Sequence, residues 1–171
     1  MIAALDSFRD FSFFSVLIRL LLAMAFGGLI GFERGKHHKG AGLRTYILVC
    51  LGATLGVLLS QYYSHMVYDV WAPAVTGNVD VSRIAMQTIT GVGFLAAGTI
   101  LMTQQSKVKG LTTAAGLWAS ACAGLAIGAG FFEGVLMMFV FMLICLVWLP
   151  RLEKRRAEET EQISREEEHH A

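Results

Sequence analysis

Five long apolar stretches, separated by short polar segments, make up most of the chain. They cover residues 11–32, 45–63, 84–102, 111–129 and 131–149. Each is close to the roughly 20 residues that an α-helix needs to cross the hydrocarbon core of a bilayer. The runs are continuous and do not alternate apolar with polar residues, which argues against the strands of a barrel. The pattern therefore predicts an all-α integral membrane protein, a bundle of about five transmembrane helices.

Two boundaries in this pattern have an alternative interpretation. Ala23-Met24-Ala25 resembles a signal-peptide cleavage site, but Arg19 interrupts the apolar run, so we expect a retained first helix. Between the last two stretches, glycines around Glu133 predict a tight turn. A single long helix with a re-entrant segment is the alternative there.

Composition agrees with a membrane protein and excludes an ordinary soluble or disordered chain. Charged residues are 16% of the sequence and hydrophobic residues 55%, with a mean hydropathy of +0.57; soluble domains carry about 25% charged residues.

The basic residues gather in the first loop, the third loop and the start of the tail: Arg34, Lys36, Lys39, Arg44, Lys107, Lys109, Arg151, Lys154, Arg155 and Arg156. This asymmetry places the N-terminus outside and the C-terminus in the cytoplasm. Residues 1–150 form the membrane domain, and residues 151–171 are predicted to be a charged cytoplasmic tail.

Motifs of enzymes and metal sites are missing from the sequence. It contains no P-loop, no nucleophile elbow and no HExxH. Cys50, Cys122 and Cys145 lie far apart in apolar stretches, as buried small hydrophobes do. We therefore expect a protein that is no enzyme, with no cofactor, no metal site and no nucleic-acid partner.

Arg19 needs an explanation, since an arginine inside a membrane span is costly unless it is paired or reaches the surface. One interpretation is snorkelling to the outer surface. The other is a pair with Asp80, or a polar cavity also lined by residues that share a face of the third helix. We name this predicted group the outer polar cluster: Arg19, Asp80, Arg83 and Gln87. Asp80 is also suited to cap the start of that helix.

A second polar group is predicted at the opposite end. The first helix ends with acidic and basic residues, and the second and fourth begin with cations, glycines and hydroxyls. We name it the cytoplasmic polar cluster: Glu33, Arg34, Arg44, Thr45, Lys109, Thr112 and Thr113. Two helix N-termini with cations nearby suit an anion such as a phosphate or a lipid headgroup. Positive-inside topology with ordinary helix capping explains the same residues without a ligand.

Small residues spaced four apart mark helix-packing faces, because they let helices approach closely in lipid. The residues are Gly27 and Gly31 on the first helix and Gly116, Ser120, Gly124 and Gly128 on the fourth. Packing within one chain is the simpler interpretation, and a homodimer seam along the fourth helix is the alternative.

Three blocks of the sequence resemble the MgtC/SapB membrane proteins. The first runs from Arg19-Leu20 through Gly28-Leu29-Ile30-Gly31-x-Glu33-Arg34 to Ala41-Gly42-Leu43-Arg44-Thr45-Tyr46. The second is Asp80-x-x-Arg83-Ile84-Ala85-x-Gln87 with Gly91-x-Gly93-Phe94-Leu95, and the third is Gly110-Leu111-Thr112-Thr113-Ala114-Ala115-x-Leu117-Trp118. They occur in order, with family-like spacing, over about residues 19–130.

The resemblance implies a multi-pass protein of the bacterial inner membrane. Some members of the family act as virulence factors in Mg²⁺ limitation and inside macrophages, and they are regarded as regulators. An inhibitory interaction with the F-type ATP synthase has been proposed for them. The resemblance thus implies regulation linked to Mg²⁺ limitation or acid stress through membrane-protein contacts. The alternative is an ion transporter or channel, for Mg²⁺ or a small anion, that uses the outer polar cluster. The expected partners are the lipid bilayer, a second copy of the chain, and a membrane protein such as the ATP synthase.

Overall fold

The computed structural model describes residues 12–36, 40–67, 80, 82–102, 108–150 and 152. Helix α1 spans Phe13–Lys36, α2 Leu43–His65, α3 Ser82–Ala97, α4 Leu111–Ala129 and α5 Phe132–Leu143, which continues as a π-helical stretch over Ile144–Trp148. The predicted all-α fold is confirmed. Apart from Leu152, the predicted charged tail lies outside the described residues.

The helices differ in length and in their capacity to cross a membrane. Within the described ranges, α1, α2 and α4, with 24, 23 and 19 residues, are long and apolar enough to span one. The apolar run Phe132–Trp148 is shorter. Helix α3 has 16 residues, about 24 Å at 1.5 Å per residue, against a hydrocarbon core of about 30 Å.

The prediction of a helix over residues 84–102 is wrong at its C-terminal end. Helix α3 ends at Ala97, and strand β1 (Leu101–Met102) pairs antiparallel with β2 (Val108–Lys109). Gly98 weakens the helix there, and the β-branched residues after it favour an extended backbone. Gly110 then adopts a φ of +97°, and a Cβ at this position would collide with the carbonyl oxygen of Thr99. Only glycine fits this connection between the hairpin and α4.

Helices α2 and α4 run parallel as the central pair of the bundle. Gly124 of α4 lies against the backbone of Cys50, and Gly128 lies against that of Thr54. Helices α1 and α3 each pack against both α2 and α4. The described chain divides after Val135 into two compact units, with α1 to α4 in the first and most of α5 in the second.

Candidate functional site

Arg19 is buried inside the bundle, at only 2% exposure. Its Nη1 donates to the side-chain oxygen of Gln61 at 3.1 Å and to the backbone oxygen of Gly128 at 2.8 Å. One guanidinium on α1 thereby joins the C-terminal parts of α2 and α4. These acceptors lie at helix C-termini, where the macrodipole favours a cation.

The C-terminus of α4 explains why an arginine suits this place. Gly130 has a φ of +79°, and the N–H groups of Gly130 and Phe131 donate to the oxygens of Ile127 and Ala126 at 3.0 and 2.9 Å. This is the Schellman arrangement, which satisfies two of the last carbonyls of a helix. The carbonyl of Gly128 is one of the remaining acceptors, and Arg19 satisfies it.

The predicted pair of Arg19 with Asp80 is wrong, and so is snorkelling. Asp80 is exposed, and its Oδ1 accepts from the backbone N–H and the hydroxyl of Ser82 at 3.0 and 2.6 Å. These hydrogen bonds hold the pKa of Asp80 below its usual value, with a smaller contribution from the Arg83 charge. Asp80 therefore starts α3 in the manner of an N-cap residue, as the sequence indicated. Arg19 donates instead to Gln61 of α2 and to Gly128 of α4.

The other members of the outer polar cluster lie on the exposed side of α3. Arg83, Gln87 and Thr90, spaced four and three apart, share a helix face, and all three are exposed. Phe94 continues this face and is 86% exposed. The hydroxyl of Thr90 is satisfied within its own helix by the oxygen of Met86 at 3.0 Å. The structure thus separates the outer polar cluster into a buried arginine and an exposed polar helix face.

Arg34 is the counterpart of Arg19 at the other end of α1. It is 5% exposed, and its Nη2 donates to the Oγ1 of Thr113 at 2.9 Å. Its charge also acts on the fully buried Tyr46, whose hydroxyl lies against Gly116 of α4. Arg34 therefore contacts the first turns of α2 and α4 together.

The rest of the cytoplasmic polar cluster is distributed around this contact. Glu33 and Thr45 are half-buried, whereas Arg44, Lys109 and Thr112 are exposed. The structure brings Arg34 and Thr113 together in the interior, and it leaves the other cations facing outward.

The small-residue faces are used for packing within one chain. A Cβ added to Gly27 would lie 2.7 Å from the backbone oxygen of Tyr46, and one added to Gly31 would lie 2.7 Å from the Cα of Leu43. On α4, Cβ atoms added to Gly116, Gly124 and Gly128 would lie between 2.5 and 2.7 Å from atoms of α2. Ser120, in the same stripe, is fully buried. The alternative of a homodimer seam along this stripe is wrong, because α2 already occupies it.

Three buried or partly buried polar residues were missed by sequence reasoning. Gln61 accepts from Arg19, Tyr46 lies between Arg34 and Gly116, and Thr54 lies between α2 and α4. The hydroxyl of Thr54 lies 2.8 Å from the oxygen of Gly124 and 2.9 Å from that of Cys50. Gln61 lies near the outer end of the second predicted helix. This position along the membrane normal is the signal that could have paired it with Arg19.

The chemistry available at these sites is that of cations, hydroxyls and backbone groups. In the described part of the chain, Arg19 and Arg34 are the buried charged side chains. Nor do three or more His, Cys, Asp or Glu side chains come together there in a group that could hold a metal ion.

The profile of the MgtC family matches residues 20–155. "Putative magnesium transporter YhiD" of Escherichia coli (strain K12) is 46% identical over 117 residues, which are 68% of this chain and 52% of that protein. "Protein MgtC" of Brucella abortus (strain 2308) is 40% identical over 121 residues, 71% of this chain and 45% of that protein.

A third relative extends the comparison further along the chain. "Protein SapB" of Bacillus subtilis (strain 168) is 34% identical over 138 residues, 79% of this chain and 56% of that protein. The chain spans about half the length of the curated relatives it matches. No solved structure matches the chain.

Proposed function

Because the chain belongs to the MgtC family, we propose that it is a regulatory protein of the bacterial inner membrane that acts through contacts with other membrane proteins. Its activity serves adaptation to Mg²⁺ limitation or acid stress, including virulence-type conditions. The N-terminus faces outward and the C-terminus faces the cytoplasm.

The exposed polar face of α3 is the observation that carries this proposal. Arg83, Gln87 and Thr90 are exposed on one side of a helix that also packs against α2 and α4. Polar side chains at membrane depth are costly against lipid and lie against protein or water. The side-chain amide of Gln87 makes no hydrogen bond with the described residues, so it is available to a partner helix. The family resemblance makes the F-type ATP synthase the first partner to test.

Site-specific photocrosslinking tests this contact. A photoreactive amino acid at Gln87 is expected to capture a membrane protein in intact cells, identified by mass spectrometry. The same group at Leu48, which is 67% exposed on α2, is the matched control. Capture of an ATP synthase subunit from Gln87 alone supports the proposal. Equal capture from both positions, or none from Gln87, contradicts it.

The second candidate is an ion transporter, favoured by the name of the E. coli relative, "Putative magnesium transporter YhiD". The buried charges described here are arginines, which repel Mg²⁺ and suit a small anion. Flux of Mg²⁺, protons and phosphate in proteoliposomes separates the two functions. If the wild-type protein shows ion flux and a correctly inserted Arg19→Leu variant does not, the result would favour transport over regulation by contact.

A further inference from the structure

Helix α3 packs against α2 with one side and leaves the opposite side uncovered. A Cβ added to Gly56 of α2 would lie 3.0 Å from the Oγ1 of Thr88 and 3.8 Å from the side chain of Ile84. Ala96, further along α3, is buried. Counted at about 100° per residue, Thr88 and Ala96 face away from Arg83. The exposed polar face that begins at Arg83 therefore lies opposite the side that packs on the bundle.

The exposed residues of this face have the spacing of a coiled-coil seam. We name them the α3 seam: Arg83, Gln87, Thr90, Phe94 and Ala97. They follow one another at steps of four, three, four and three, and Asp80, also exposed, precedes Arg83 by three residues. Alternating steps of three and four mark the positions of a helix that face one neighbouring helix along its length. The α3 seam therefore has the pattern of a surface that one further helix covers.

The charges at the start of the α3 seam fit a second copy of the same chain. Two copies inserted in the same direction pair their α3 helices in parallel about a two-fold axis. Asp80 then lies about 4.5 Å along the axis from the level of Arg83 of the second copy, and neighbouring levels of such a seam interdigitate. Each copy supplies one negative and one positive charge, so two reciprocal pairs form. Within one chain, Arg83 acts only weakly on Asp80, whose Oδ1 accepts from Ser82.

The side chains further along the α3 seam are also self-complementary. The amide of Gln87 is both donor and acceptor, so two copies of it can hydrogen-bond to each other across the axis. Phe94 is 86% exposed, and two aromatic rings pack favourably in offset or edge-to-face geometry. A Cβ added to Gly91, beside the seam, meets no atom within 4 Å, which leaves room for a close helix approach. Lipid offers Gln87 no hydrogen-bond partner, whereas a second copy offers a matching one.

We propose that the chain forms a parallel homodimer through the α3 seam when no other partner covers it, with Asp80 of each copy facing Arg83 of the other. The inference rests on the proposed function in taking this face of α3 as a contact surface, and it adds a second occupant. Another membrane protein that binds at Gln87 then competes with the second copy. Self-association thereby sets how much of the surface is available to that partner.

Photocrosslinking in vesicles that contain no other protein tests the dimer. The full chain, with p-benzoylphenylalanine in place of Phe94, is reconstituted in phosphatidylcholine and irradiated. Phe141 of α5, 65% exposed, is the matched aromatic position for the control. A dimer-sized product is expected from the probe at Phe94 and should persist as the lipid-to-protein ratio is raised, whereas random collisions at Phe141 should decline. Equal yields from both positions, or no dimer from Phe94, would overturn the proposal.

Charge reversal identifies the contact within the dimer. Asp80→Lys leaves two cations on each copy and Arg83→Glu leaves two carboxylates, so each variant alone should dimerise about three- to tenfold more weakly. An equimolar mixture of the two should recover dimerisation, because cations then face carboxylates across the seam. Gln87→Leu should weaken dimerisation by a similar factor.

Controls keep the charge-reversal test valid. Lys36→Glu, at the end of α1, reverses a charge outside the seam and should leave the yield unchanged. Arg83→Glu and Gln87→Leu retain Asp80 and remain informative if Asp80→Lys weakens the start of α3. Unchanged dimer yield in these two variants, or no recovery in the mixture of two folded variants, would overturn the proposal.

The result is distinguishable from that of the proposed function. Self-capture in vesicles, without capture of another membrane protein in cells, would support the dimer and contradict the proposed function. Capture of an ATP synthase subunit in cells, without self-capture in vesicles, would support the proposed function and overturn the dimer.

Discussion

The guanidinium of Arg19 completes the C-terminal cap of α4 by donating to the oxygen of Gly128 at 2.8 Å. The spacing from Arg19 to Arg34 on α1 equals the spacing from Thr113 to Gly128 on α4, about 22 Å along either axis at 1.5 Å per residue. One antiparallel helix pair therefore carries an arginine contact at each end. The two contacts fix the register of α1 along α4.

The hydrogen bond between Arg19 and Gln61 should show energetic coupling. Arg19→Leu is expected to destabilise the bundle by about 1–2 kcal/mol, because it leaves the oxygens of Gln61 and Gly128 without their donor. Gln61→Leu should cost less, since Gly128 still accepts from Arg19. A double-mutant cycle, measured by unfolding in mixed micelles, should give non-additive values. Strict additivity would mean that the two side chains do not interact.

Gly124→Ile should disrupt the fold of the monomer. A Cβ at this position would lie 2.5 Å from the backbone oxygen of Cys50, and backbone cannot move aside as a side chain does. Gly52→Ala is the control, because no atom lies within 4 Å of its added Cβ, and alanine favours a helix by up to about 1 kcal/mol over glycine. Tm and size-exclusion profiles would be compared; a folded Gly124→Ile monomer would contradict the packing described here.

Gly110→Ala should destabilise the connection between β2 and α4. Its φ of +97° is strained for alanine, and its Cβ would collide with the carbonyl oxygen of Thr99. The left-handed conformation alone costs about 1–2 kcal/mol. Gly40→Ala, whose added Cβ meets no atom within 4 Å, should leave the Tm nearly unchanged. Equal effects of the two substitutions on Tm would exclude this explanation.

The hydroxyl of Thr54 should stabilise the contact between α2 and α4. Thr54→Val keeps the shape of the side chain but removes the donor to Gly124, 2.8 Å away. The expected cost is about 1 kcal/mol. Thr54→Ser retains the hydroxyl and should lose less stability than Thr54→Val in the same denaturation measurement. The reverse order would show that packing of the methyl group dominates.

Asp80 should titrate below an ordinary aspartate. The side-chain hydrogen bond from Ser82 is the main cause of its lowered pKa, followed by the backbone hydrogen bond of the same residue. A carboxylate with a lowered pKa in the folded state stabilises that state above its unfolded pKa, and loses this effect as the pH falls through the folded value. Site-specific NMR titration should show the pKa of Asp80 rise in Ser82→Ala. An unchanged pKa would mean that the Ser82 hydroxyl makes no contribution.

The limits of sequence interpretation are clearest at Arg19 and at the third helix. The apolar run predicted that Arg19 lies within a helix and needs a partner, but its acceptors, Gln61 and Gly128, are far away in the chain. Which residues meet it depends on the register between α1, α2 and α4. Hydropathy likewise predicted a third helix that continues to residue 102, because an apolar run does not reveal the turn and hairpin after Ala97.

The sequence by itself determined the membrane class, the approximate helix positions and the faces that permit close packing. These properties follow from local composition and periodicity, since lipid requires apolar side chains and internally paired backbone. Only the tertiary structure decided that α2 occupies the small-residue stripe of α4, and that Arg19 and Arg34 face opposite ends of that helix. Such assignments depend on which helices pack together and in which direction, because a small-residue face fits more than one neighbour.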